Sequence, residues 1–148
     1  MLTDYTDLEK EIDDAPEPKV LPTGTEVKVR IVMVSSGIDK NGLDYHMPLY
    51  DVPNDPMVIM FSDFLYVLDK KKLDASTYAK SLYQFQTFAG AFGLDYGRPF
   101  DWEDDLPSKE GWVIVGIGKD DPTYGRKNTV KKYVAPRGDS AGSSDLPF

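Results

Sequence analysis

Arg126, Lys127, Lys131 and Lys132 stand with Tyr124 and Tyr133 in one short stretch, and positions 126–137 hold five basic residues and no acid. Cations spaced this way can track phosphates, and rings among them offer faces for unpaired bases, as a sequence-tolerant single-strand binder requires. Lys28, Arg30 and Lys119 add further cations, and Tyr45, Tyr50 and Trp112 further rings. The same pattern also fits a solvated edge hairpin whose lysines discourage strand pairing between molecules.

Residues for catalysis are harder to assemble. The chain has one histidine, His46, and no cysteine, which excludes a His/Cys metal cluster, a Cys–His dyad and disulfides. Gly116 and Gly118 lack the remainder of a dinucleotide or phosphate-loop fingerprint. Two-metal chemistry needs only carboxylates, but Asp101, Glu103, Asp104 and Asp105 read as a solvated loop. His46, among Tyr and Met, reads as a surface or packing residue. No enzyme, metal or cofactor is expected.

The elements that must position the basic stretch follow from periodicity. Gly111–Gly118 and Lys127–Pro136 are β-rich runs joined by a turn-rich connector with Pro122 and Gly125, a hairpin. Upstream, Glu26–Ser35 alternates, with Val27, Val29, Ile31 and Met33 on one face. Its second face turns apolar at Val32 and Val34, as in a long coiled strand crossing a barrel. Asn41-Gly42 signals a type I′ turn before a strand over Leu43–Val52, and Met57–Phe61 is a short third strand. Ala75–Phe92 is a helix by the spacing of Tyr78, Leu82, Phe85 and Phe88, a stripe assigned to the core. Asp74 or Ser76 can cap its start and Gly93 its end. The expected fold is therefore mainly β: a five-stranded oligonucleotide-binding barrel with a helical insertion between strands 3 and 4.

Net charge is −8, but it is unevenly placed. Residues 1–18 hold seven acids and one lysine and read as a mobile acidic arm, with room for one or two helical turns over Asp4–Asp13. Residues 19–136, the expected domain, are close to neutral and free to present a basic face. No apolar run approaches the roughly 18 residues of a membrane span and no signal-peptide pattern opens the chain, which fits a cytoplasmic protein.

Residues 137–148 read as a Gly/Ser-rich tail ending in Asp145, Leu146, Pro147 and Phe148. That tip resembles the acidic C-terminal tip of bacterial single-stranded DNA-binding proteins, with one acid where the family usually has several. The resemblance implies docking of replication, recombination or repair proteins, with Phe148 in an apolar pocket and its carboxylate on a basic residue. Leu21–Val29, Phe88–Leu94, Val113–Gly116 and Gly125–Tyr133 resemble bacteriophage single-stranded DNA-binding proteins. This second resemblance implies a barrel that coats unwound DNA in phage replication or recombination, in the cytoplasm of a bacterial host. The residues expected at DNA are Lys28, Arg30, Tyr45, Tyr50, Trp112, Lys119, Tyr124, Arg126, Lys127, Lys131, Lys132 and Tyr133. Self-association stays open. The competing expectation is a non-enzymatic adaptor or anti-host factor that binds proteins through its acidic arm.

Overall fold

The computed structural model describes residues 1–119 and 125–136. Six strands make one sheet: β1 (Glu26–Ile38), β2 (Asp44–Asp51), β3 (Phe61–Ser62), β4 (Leu65–Tyr66), β5 (Glu110–Ile117) and β6 (Asn128–Val134). Its order is β3-β2-β1-β5-β6, all antiparallel, with β4 also on β2. β1 is long enough to serve both halves, pairing β5 from Glu26 to Arg30 and β2 from Arg30 to Ile38.

The sheet curls on itself. Tyr133 of β6 and β3 lie at opposite ends of the strand order, yet the Tyr133 hydroxyl reaches Asp63, next to β3, at 2.5 Å. A bulge in β1 between Ile31 and Met33 helps the bend, since an unpaired residue sharpens local twist. It also shifts the alternation by one place: Val29, Ile31 and Val34 are buried, whereas Met33 is exposed. The apolar second face in the sequence is this phase shift.

Inside the curl lie Val29, Ile31, Tyr50, Phe61, Val113 and Val115, covered by Phe88 and Phe92 of α2 (Ala75–Phe92). Asp74 caps that helix by accepting from the Thr77 N–H at 2.8 Å, and Gly93 ends it with φ +67°. Gly111 is required where α2 meets β5, because a Cβ there would stand 2.6 Å from the Ala91 carbonyl oxygen. The arm carries α1 (Glu9–Asp13) behind a 3-10 turn over Thr6–Leu8, and residues 1–19 are all exposed.

Two local expectations change. Met57–Phe61 is not a strand: pairing begins only at Phe61, and Val58 forms a lone parallel bridge with Lys19. The third strand is instead split into β3 and β4, so α2 follows β4 and precedes β5. The β1–β2 connection is not type I′, which needs positive φ at both central residues. Only Gly42 has it, at +80°, and the Asp39 carboxylate holds the loop by accepting from the Asn41 and Leu43 N–H groups, each at 2.9 Å. Among the described residues no helix is long and apolar enough to cross a membrane.

Candidate nucleic-acid interface

Residues paired across a ladder share a face of the sheet. Lys28 on β1 stands opposite Trp112 on β5, which stands opposite Val134 on β6. The next row is Glu26, Ile114 and Lys132; on the other side Arg30 stands between Glu110 and Asp51. Trp112 is 44% exposed on this outer face. With Glu26, Val134, Ala135 and Pro136 it lines a groove of about 310 Å³. An indole held by the ladder and open on one side costs little ordering entropy when a flat ring settles on it.

The cations around it differ in how free their charge is. Lys28 Nζ lies 3.5 Å from Glu110 Oε1. Arg30 grips Asp51 with two nitrogens, Nε at 3.1 Å, and that pairing raises its affinity for its proton. Lys119, Arg126, Lys131 and Lys132 are exposed and make no ion pair among the described residues. Lys127 is exposed beside them. The bulge in the β5–β6 ladder between Ile114 and Val115 leaves Lys131 without a ladder partner, so Lys131 and Lys132 do not alternate and both stand on the outer face. Lys132 sits on the row with Ile114, while the stem of Lys131 covers Gly116, where a Cβ would meet its Cγ at 2.9 Å.

Tyr50 and Tyr133 are not surface rings. They are 0% and 5% exposed, and their rings pack on Phe92 and Phe88 inside the curl. Tyr133 spends its proton on Asp63, so Tyr50 donates to the Tyr133 oxygen, at 2.8 Å. Burial pushes both hydroxyls well above the ordinary tyrosine range. Burial likewise raises the Asp63 carboxyl above its ordinary 3.8, against the opposing hydrogen bonds from Tyr133, the Phe64 backbone and Gln84. Strand alternation alone places Tyr50 and Tyr133 on a face without saying which face is inside, and that is how they entered the DNA-facing set.

Tyr45 is half-buried against Phe64, ring centroids 4.3 Å apart, with its hydroxyl over Gly37. It pairs with Gly37, nine residues along β1 from Lys28, or about 30 Å of extended strand. The structure therefore gathers Lys28, Trp112 and Lys132 and leaves Tyr45 apart. Tyr124 and the tip Asp145, Leu146, Pro147 and Phe148 lie outside the described residues.

One feature had little signal in the sequence. An aromatic trough of about 340 Å³ is lined by His46, Tyr66, Phe85, Tyr96, Phe100 and Trp102, among others. His46 stacks on Trp102 at 4.2 Å and 15°, and its Nδ1 lies 2.8 Å from the Ser36 hydroxyl. Burial, above all, lowers its pKa below 6.5. The rings come from four separate segments, so no spacing joins them. Two acids of the 101–105 loop are occupied locally: Asp101 accepts from the Glu103 and Asp104 N–H groups at 2.8 and 3.0 Å, and Asp105 from the Asp101 N–H at 2.8 Å.

Neither the models of known protein families nor the curated protein sequences contain a match to this chain.

Proposed function

We propose that this chain binds single-stranded DNA without reading base identity, on the outer face of β1, β5 and β6. The exposed Trp112 carries the reading, with Lys28 across one ladder and Lys132 one row along. A base stacks on the indole while Lys119, Arg126, Lys127 and Lys132 line the path of the phosphates. The strand order supports an oligonucleotide-binding barrel, partly open, if β3 and β4 count as one interrupted third strand. Tyr50 and Tyr133 serve its interior. On the sequence of its tip we assign Asp145–Phe148 to recruitment of replication, recombination or repair proteins, in a phage setting and without a catalytic step.

Titration of oligo-dT and of a duplex of equal length, at low salt, tests this. Oligo-dT binds tighter than duplex and quenches tryptophan fluorescence, and Trp112→Ala loses about 1–3 kcal/mol of affinity with an unchanged melt. Equal affinity for duplex overturns the stacking mechanism. No binding of either overturns the function and favours the adaptor.

A further inference from the structure

We propose that the N-terminal arm docks into a trough on α2 of a second copy of this chain, linking copies head to tail. Tyr5, Leu8 and Ile12 are 61%, 43% and 53% exposed. Leu8, the N-cap of α1, and Ile12 stand four apart on one side of it, and Tyr5 precedes them at the start of the 3-10 turn. Asp7, Glu11 and Asp14 fall on the other. Three apolar anchors on a short acidic helix are the pattern of a segment that fills a groove. A helix this short is marginal alone in water. Residues 1–18 are all exposed, and α1 and its 3-10 turn touch only each other among the elements of the fold.

The receiving surface stands equally uncovered. Leu68, Ala79, Leu82, Tyr83, Phe85 and Tyr96 line a trough of about 470 Å³ that runs into the ring-lined one through Leu68, Phe85 and Tyr96. Leu82, Tyr83 and Tyr96 are exposed. The trough follows α2 from Ala79 to Gln86, seven rises or about 10 Å, the span from Tyr5 to Ile12 on the arm.

Charge matches as well as length. Lys70, over the Tyr78 ring, and Lys71 follow Leu68 in the chain, and Lys80 follows Ala79; Leu68 and Ala79 are both trough residues. None of the three makes an ion pair among the described residues. Asp69 accepts from the Lys71 N–H and Asp74 caps α2, both keeping their charge, so positions 68–80 carry four lysines against two acids, while Asp95 pairs with Arg98. An arm of net charge −6 meets a stretch, 68–80, of net charge +2. Because the two surfaces differ, one contact leaves a trough free on one copy and an arm free on the other, and assembly extends head to tail unless the rotation between copies closes a ring.

Sedimentation of the full chain without DNA tests this, with a paired-variant experiment to settle it. Wild type gains mass with concentration, less so at high salt. The arm variant Leu8→Ser/Ile12→Ser and the trough variant Leu82→Glu each lose association at least tenfold with unchanged melts, and Tyr83→Glu repeats the result if Leu82→Glu does not fold. Mixed together, the two variants form a one-to-one complex, since one keeps an intact trough and the other an intact arm. A wild type that stays monomeric to millimolar concentration overturns the proposal, as does a mixture that fails to associate. Loss of association on deleting residues 139–148, with the arm variant unaffected, overturns it in favour of the C-terminal tip as the occupant.

Discussion

Asp63 ties together the two ends of the curled sheet. Its carboxylate takes the Tyr133 hydroxyl at 2.5 Å and Gln84 Nε2 at 3.3 Å, and so ties β6 and α2 to the segment between β3 and β4. Tyr133→Phe removes that tie and strands the buried Tyr50 hydroxyl without an acceptor, which costs about 1–3 kcal/mol. Chemical denaturation reads the loss, and single-strand affinity at low temperature is unchanged, because the ring faces the core. The Asp63 carboxyl is raised above 3.8 by burial, so the native state holds its proton longer than the unfolded chain. Its contribution is present in full below about pH 3.8 and is lost as pH rises through the higher folded value. Asp63→Asn, which keeps an acceptor for Tyr133, flattens that fall; a stability–pH curve with the same slope in both proteins would show that the charge is not penalised. His46 works in the opposite sense: its lowered pKa makes stability fall as pH drops through 6.5. The slope attributable to Asp63 is thus the difference between variant and wild type, not the raw curve.

At the scale of elements, α2 and the β5–β6 hairpin were legible because their signals are local. The helix has caps at both ends, Asp74 and Gly93, and an apolar spacing that no strand shares, but that stripe is not all core face: Leu82 is exposed, and α2 buries Ser81, Phe88, Ala89, Ala91 and Phe92. The third strand was not legible, since four apolar residues at Met57–Met60 carry no period and their placement depends on Lys19 arriving from far away in sequence. The hairpin bears the salt prediction. Each phosphate contact removed lowers the slope of log affinity against log salt by about 0.7 for a single strand. Arg126→Ala and Lys132→Ala should each show that loss. Lys28→Ala and Arg30→Ala should show less, because Glu110 and Asp51 already neutralise those cations before DNA arrives. A larger effect from Lys28 or Arg30 than from the hairpin would move the phosphate path to the β1–β2 side.

Over the whole molecule, the sequence separated an acidic arm from a near-neutral body, and the structure gives that division a shape. The body turns its outer sheet face and its α2 trough to solvent on different elements. DNA binding and arm docking therefore need not compete, and a chain of copies could lie along one strand. Binding contacts were less legible than charge. Which ring looks outward depends on the curl of the sheet, and among the expected rings that the structure describes only Trp112 stands on the row with Lys28.

Asn128 is buried at the start of β6, and its amide accepts from the Leu21 N–H and donates to the Leu21 and Gly116 carbonyls, at 2.9, 2.9 and 3.0 Å. Lys19 is tied in the same way, its N–H to the Met57 carbonyl and its carbonyl to the Ile59 N–H. The smallest protease-resistant unit thus has a sharp left border. Removing residues 1–18 leaves the melting temperature where it was. Removing four residues more takes both Leu21 partners from the Asn128 amide, at about 0.5–1.5 kcal/mol for each hydrogen bond lost, since the deletion lets water reach the amide. Limited digestion should halt within a residue or two of Lys19. The seven-residue closing strand is, in this sense, held shut by a segment more than a hundred positions earlier.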